Sequence, residues 1–557
     1  MPLMHGPSAG RLARLLIPAL LATFLAACGQ REETPPQAST NGSDTATPRR
    51  GGTIVAGWTA EPGGVNEYIT PSTLPTNEVL FRVFQRLVEE QADFNEHPAT
   101  FAPQLAESYE WSPDRKALTF RLRKNAVWSD GVPITAEDVR WTWQMQMHPA
   151  VGWDNASSKD FIRDVEVVDP HTVRFHFDRV YNKQMLDANE GVILPKHAWS
   201  KLPVEKWRES SDWFKQNLVV SGPFTIASWT PQQELVMARN ERYWEKDRPY
   251  LDRVVMRFLP DAGSLLSQVL GGELDFIPQV SPTDVPRVQA DPDLHMVSYW
   301  SNLYVVVGWN TSRPLFADAD VRRALTLAMD RQAIVDTILP GGLGRVAVSP
   351  YIQSVWAHDK NLKPYPFDPA EARRILAAKG WKDSDGDGIL DRDGKPFSFE
   401  LTSNAGNQQR NDAAVMIQQQ LKKVGIDARP RILEFNTMVE EMNEGLFDGT
   451  VIGLSMDTSL DMTAQFHTRA ITEGANSFRY SNPEVDRLLE QAASAPTLQE
   501  AEPMIHQIER LIHRDQPATF LWESQRIAAV NKRIRDAKPN QMHSFFNLKD
   551  WWLAPGN

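Results

Sequence analysis

The chain has 557 residues, 41% hydrophobic and 23% charged, with 18 Trp and 24 Phe; that much apolar and aromatic surface excludes a disordered chain and calls for more than one core. Lys and Arg number 59 against 71 Asp and Glu, and the resulting net charge of −12 argues against a nucleic-acid binder. A single cysteine excludes a disulfide framework and any cysteine-built zinc or iron–sulfur centre.

Residues 1–28 read as a targeting segment, outside the fold. Arg11 and Arg14 precede an apolar run from Leu15 to Ala27, shorter than the roughly 20 residues of a spanning helix. The run ends in Leu25-Ala26-Ala27-Cys28, and Cys28 is the only cysteine. Small residues before a lone cysteine resemble the lipobox of bacterial lipoproteins, where signal cleavage leaves the cysteine as an acylated N-terminus. Each buried acyl CH₂ adds about 0.8 kcal/mol of membrane affinity. Residues 29–50, rich in Thr, Ser, Pro and Gln, read as a disordered tether.

From Gly51 the pattern is mixed α/β. Thr53–Trp58 reads as a first strand. Asn77–Glu89 carries Val79, Leu80, Val83, Phe84, Leu87 and Val88 at helical spacing. Leu118, Phe120 and Leu122 alternate with polar residues as a strand with one wet face. Asp164–Val168 and Thr172–Phe177 flank an Asp-Pro-His turn, and Phe224–Trp229 with Leu235–Arg239 reads as a second hairpin. In the C-terminal half, Asp320–Met329 and Arg331–Leu339 read as successive helices capped by Asp320 and Asp330. A helix over Asp412–Val424, a strand over Ile426–Ile432, a helix from Asn436 to Leu446 and an apolar Val451–Gly453 imply a second α/β lobe.

Catalytic signatures are sparse: the sequence has no Gly-x-Ser-x-Gly elbow, no His-Glu-x-x-His and no Gly-x-x-x-x-Gly-Lys-Ser/Thr loop. His506, Glu509 and His513 share one helix face that suits either a metal or plain amphipathic packing beside Ile505, Ile508 and Ile512. Asp383, Asp385 and Asp387 alternate before Gly388, with Asp391 following, as at the start of a calcium loop. Gly394 stands where an EF-hand needs its bidentate Glu, so structural calcium and a solvated Asp/Gly turn are both compatible with the residues.

Leu105-Ala-Glu-Ser-Tyr-Glu-Trp111, Leu118–Lys124, Trp128-Ser-Asp-Gly131, Pro133–Val139, Ser221-Gly-Pro-Phe224, Ala238–Trp244 and Asn310 through Leu325 occur in an order that resembles the oligopeptide/dipeptide/nickel class of ABC-transporter solute-binding proteins. The resemblance runs from about Gly51 to Arg535. It implies an α/β, two-lobed periplasmic-binding-protein type II fold with an inserted subdomain and a hinged cleft. Lobe one would comprise 51–95, 218–305 and 521–557, the inserted subdomain 96–217 and lobe two 306–520, with crossovers near Tyr304–Asn310 and Phe520–Glu523. The implied protein is a monomer at the periplasmic or extracytoplasmic face, anchored through Cys28, that hands a solute to ABC permease subunits and catalyses nothing. It uses no cofactor beyond the calcium the Asp-rich turn is suited to hold, and no nucleic acid.

The family's amine-binding Asp corresponds here to Asp457, with Ser455 just before it. This segment has Leu454 where the family has Trp, and Asp461-Met462 where it has Asp-Pro, so an Asp that caps the following helix is an equally good reading. Trp58, Glu61 and Asn66 after the first strand, and Trp309 and Asn310 near the crossover, are expected to face the same cleft. A peptide or peptide-like ligand is the expectation. An oligosaccharide, a metal chelate or another organic solute on the same fold, a sensor role, and a hydrolase with paired carboxylates are the alternatives.

Overall fold

The computed structural model describes residues 47–555, so Cys28 and most of the proposed tether lie outside the described residues. Among the described residues no helix is long and apolar enough to cross a membrane.

Eleven strands form one mixed sheet. From one edge the order is Asp427–Leu433, Ser398–Asn404, Gly449–Ser455, Leu294–Trp309, Ala518–Asn531, Phe276–Ile277, Thr53–Trp58, Arg253–Phe258, Glu234–Arg239 and Phe224–Thr230, with Gly344–Val346 pairing separately on Ala518–Asn531. Two of these strands are far longer than the rest: Leu294–Trp309 has 16 residues and Ala518–Asn531 has 14. They run antiparallel through the centre and join two halves of the sheet, each with its own cores.

Alternation explains why the buried ends of the long strands are apolar. At the first-lobe end, Ala528 and Val530 enter one hydrophobic cluster, while Ile527 and Ala529 enter another on the opposite face. At the second-lobe end, Val305, Val307 and Trp309 enter a third cluster, and Tyr304 and Val306 a fourth. Neighbouring side chains point to opposite faces, so a strand covered on both sides reads as a continuous apolar run. Between the two ends the ladder breaks: Trp300 pairs with Gln525 and Tyr304 with Glu523, which leaves Ser301–Leu303 bulged.

Segment 96–217 carries its own four-stranded sheet, in the order Ala106–Trp111, Ala117–Leu122, Thr172–Phe177, Ile162–Asp169. Its Phe120, Phe175, Trp128 and Trp199 nevertheless share one cluster with Ile54, Val254 and Met256 of the main sheet.

Most elements fall within a few residues of their expected places, and the differences have local causes. The helix expected over Asn77–Glu89 runs from Leu74 to Val83, and Val88–Glu90 is a strand paired with Phe101–Pro103. The apolar residues Leu87 and Val88 are spaced for either, and the partner strand decides. Asp318, not Asp320, caps Ala319–Leu327 through the Asp320 amide, whereas Asp330 caps Arg331–Ile338 as expected. Glu434, not Asn436, caps Phe435–Glu444, and Gly445 ends that helix at φ +73, a conformation that favours glycine.

Candidate functional site

A cleft of about 460 Å³ opens between the lobes. Its first-lobe face is built from Glu67, Tyr68, Arg86, Glu90, Trp153 and Glu190, and its second-lobe face from Asn302, Asp457 and Thr458.

The first-lobe face is an interlocked polar layer. Tyr68 donates from Oη to the Val192 carbonyl (2.5 Å) and accepts from Gln146 Nε2 (3.1 Å), while its ring meets Trp153 edge-on at 5.0 Å. The Val192 amide donates to Glu67 Oε2 at 2.7 Å. Gly191 makes this closeness possible: a Cβ there would lie 2.5 Å from Tyr68 Oη and Gln146 Nε2, and its φ is +88. Arg86 sits 3.9 Å from both Glu67 and Glu190, its guanidinium 4.5 Å from the Phe81 ring centroid. Burial pushes the Glu67 carboxyl up against the opposing pull of Arg86, and burial likewise raises Glu90. Behind this layer, Lys159 donates from Nζ to the Glu190 carbonyl at 2.8 Å and to the Asp187 carbonyl. Burial lowers Lys159 to about 8 and raises Asp187 to about 6.

The second-lobe face is a turn. Strand Gly449–Ser455 pairs with Leu303–Trp309, and the bulge presents Asn302, whose carbonyl accepts from the Met456 amide and whose Nδ2 donates to the Met456 carbonyl, both at 3.0 Å. The chain then turns around Asp457, whose Oδ1 accepts from the Ser459 amide (2.9 Å) and hydroxyl (2.5 Å). Asp457 Oδ2 makes no hydrogen bond among the described residues. The next helix, Thr463–Phe466, starts after Met462 with no side-chain cap, and the Asp461 carboxylate accepts from the Thr463 amide at 2.9 Å in the turn before it. Burial pushes the Asp461 carboxyl up, but Lys183 and the Thr463 hydrogen bonds outweigh it and hold the group below the usual carboxylate range.

The faces touch. Thr458 Oγ1 donates to the Glu90 carboxylate, Lys183 lies 3.4 Å from Asp461, and Asn182 Nδ2 donates to the Ala492 carbonyl at 2.7 Å. The cleft lining carries five acids, Glu67, Glu90, Asp154, Glu190 and Asp457, against Arg86 and Arg208. Arg208 spends its guanidinium on the Val151 and Gly152 carbonyls, and His543 is held neutral by burial beside Arg82 and Arg86. The cleft lining therefore has more acids than cations.

Of the residues expected at the site from sequence, Asp457 lines the cleft and the others do not. Ser455 ends its strand, exposed, its carbonyl accepting from Gln465 Nε2. Trp58 is 3% exposed and packs edge-on against Phe545, and the Glu61 carboxylate accepts from Trp229 Nε1 and the Gln232 amide. Asn66 is buried and shapes the loop by accepting the Tyr68 amide, which makes it a support for the wall rather than part of it. Trp309 is fully buried, stacked on Phe316 at 5.1 Å with Nε1 donating to Thr519. Asn310 Nδ2 donates to the Gly445 and Phe447 carbonyls. Trp58 and Trp309 thus fill sheet faces, while Glu61, Asn66 and Asn310 hold connecting segments in place.

The two candidate metal positions separate as clearly. Asp383, Asp385 and Asp387 gather with carboxylate oxygens within 4.8 Å of one another, exposed, whereas Asp391 accepts from the Ser384 amide and hydroxyl. Glu509 is consumed by His358 Nδ1, the Ser349 hydroxyl and the Asp359 amide, and His513 stacks on Tyr365 at 4.6 Å. The helix-face triad is thus a packing network.

Glu67, Arg86, Glu90 and Glu190 were not identifiable beforehand. They come from a loop, the connection after a helix, a short strand and a post-helical turn, and no spacing links them.

Comparison with known proteins supplies the context. The oligopeptide-binding protein AppA of Bacillus subtilis (strain 168) is 32% identical over 551 residues, 98% of each chain. Its solved structure, described as a complex with a nonapeptide, superposes with a TM-score of 0.76 over 91% of this chain and 100% of that one. NikZ of Campylobacter jejuni, solved with Ni(L-His), is 22% identical with a TM-score of 0.77 over 90% of this chain and 99% of that one, a likeness of fold. All share the two-lobed type II arrangement seen here. Residues 100–476 match the middle region of one family, and with the similarity to AppA this means that the chain belongs to the bacterial extracellular solute-binding proteins, family 5.

Proposed function

We propose that the protein is the receptor of an ABC importer, exported, anchored by acylated Cys28, and built to capture a peptide or peptide-like solute bearing a free amine. The observation that carries this reading is the Asp457 carboxylate, with one oxygen fixed by Ser459 and the other unspent, on the rim of a cleft with five acids and two arginines. An ammonium entering this cavity relieves negative charge that burial has already made costly at Glu67 and Glu90. An anionic chelate would add to it. Charge therefore favours an amine over the chelates that other proteins of this fold accept.

Lobe closure supplies the mechanism. Residues Trp300–Tyr304 opposite Glu523–Gln525 interrupt the ladder between the two lobes and serve as the hinge, slightly before the crossover expected at Tyr304–Asn310. The Thr458–Glu90, Lys183–Asp461 and Asn182–Ala492 contacts form only when the lobes meet. Ligand binding shifts the population toward that closed form, which a permease reads. No residue acts as a catalyst.

Native mass spectrometry of the chain from Gly51, purified gently from a heterologous host, tests the reading. A spread of co-purified peptide masses that shrinks in Asp457→Ala is expected. A single non-peptide mass, indifferent to that change, overturns it.

A further inference from the structure

One segment of the first lobe ends inside the core of the second. Strands Val88–Glu90 and Phe101–Pro103 pair as a hairpin, and the loop between them carries Phe94. Phe94 is 2% exposed and belongs to the hydrophobic cluster of Tyr351, Ile352 and Val355. Apart from Ala99 of the same loop, every other member of that cluster lies between Tyr304 and Phe520. The Phe94 carbonyl also accepts from the Trp356 amide at 3.4 Å, so backbone and side chain both reach across the lobes.

Both parts of this joint are braced. The base of the hairpin is tied to the first lobe: Val88 belongs to that lobe's main cluster, its amide donates to Asn189 Oδ1, and its carbonyl accepts from Asn189 Nδ2, both at 3.0 Å. Within the loop, the Gln91 amide donates to the Thr100 carbonyl at 2.9 Å and the Thr100 amide to Asp93 Oδ1 at 3.1 Å. On the other side, the segment that receives Phe94 is fixed near both ends by Glu509, which accepts from the Ser349 hydroxyl at 2.5 Å and the Asp359 amide at 2.8 Å. In its middle, the Gln353 amide donates at 3.0 Å to Glu523, beside the hinge. A braced loop on one lobe and a braced socket on the other cannot both follow a lobe rotation. Opening at the Trp300–Tyr304 break therefore withdraws Phe94 from its cluster.

We propose that the loop between Gln91 and Thr100 is an apolar latch across the lobes: Phe94 seats in the second-lobe cluster on closure and leaves it on opening, which holds the solute-free protein partly closed and slows the release of a captured solute. Burying a Phe side chain shifts an equilibrium by roughly tenfold to a hundredfold, and here the whole of that weight falls on the closed form. The latch depends on the hinge of the fold and not on which solute the cleft carries.

The test compares the mature chain, freed of solute, as wild type, Phe94→Ala and Phe94→Leu, by small-angle X-ray scattering and amide hydrogen exchange. Phe94→Ala is expected to enlarge the radius of gyration and to speed exchange of the Trp356 amide about tenfold or more, with Phe94→Leu in between. The Val451 and Ile452 amides of the second-lobe sheet should exchange as in wild type, whereas plain core packing by Phe94 would speed them equally. Asp93→Ala, which unties the loop from Thr100 and removes nothing from the core, should move both readouts the same way and by less, and it decides the matter if Phe94→Ala fails to fold. An unchanged radius of gyration, an unchanged Trp356 amide, or acceleration that extends equally to Val451 and Ile452 overturns the proposal.

Discussion

The two faces of the cleft are made differently. The first-lobe face is a buried layer of polar groups that engage one another: Tyr68 with Val192 and Gln146, Glu67 with the Val192 amide, and Arg86 as an ion-pair partner 3.9 Å from both Glu67 and Glu190. The second-lobe face is one turn hung from a strand end, and it offers Asp457 with an oxygen to spare. The difference separates two tasks. A committed layer holds a fixed negative surface at no further ordering cost, whereas a turn with an unspent acceptor keeps its interaction for the ligand.

The comparison breaks most decisively at Asp457. Asp457→Ala should weaken ligand binding by about 1.5–3 kcal/mol, because an ammonium loses its charge-assisted hydrogen bond to an exposed carboxylate, yet thermal stability should hardly move. A calorimetric titration beside a melting curve checks both halves. Trp309→Ala should do the converse: about 3–5 kcal/mol of stability lost from the second-lobe core by denaturant unfolding, with the ligand spectrum by mass spectrometry unchanged.

The first-lobe layer is open to attack through pH. Asp187 is raised to about 6 in the fold from an ordinary value near 3.8. A raised group contributes stability that is present below its unfolded value and is lost as pH rises through the folded one. The term is therefore present near pH 4 and gone above about 6, and its size is about 3 kcal/mol. Asp187→Asn should flatten the difference between melting curves taken across that window. A variant that keeps the full slope would remove Asp187 from the layer's energetics.

The contact between the faces is the mildest target. Thr458→Val removes the hydroxyl that donates to Glu90, a bond to a charged acceptor worth about 1.5–3 kcal/mol. It should cost roughly tenfold or more in affinity, expressed in faster ligand release, because only the closed form contains the bond. An unchanged release rate in stopped-flow measurements would mean that closure does not draw on this contact.

Legibility in the sequence followed the range of the interaction. Thr53–Trp58, Thr172–Phe177 and Arg331–Ile338 were readable because period and capping act within a few residues. Leu294–Trp309 was not readable as one strand, since its buried end alone is a continuous apolar run and its middle contains the bulge. Asp457 was legible through family resemblance. The polar layer opposite it was not.

By itself, the sequence determined an acidic, mixed α/β, multi-core protein, properties of composition and of neighbouring residues, and the order of its motifs carried the family resemblance that pointed to Asp457. Only the tertiary structure decided that Trp58 and Trp309 fill cores while Tyr68 and Trp153 line the cleft, because an aromatic ring is equally suited to either place until the element packed against it is known. It also decided that Glu67, Arg86, Glu90 and Glu190 meet in one layer: long-range pairing of charges depends on chain crossings that no local pattern encodes.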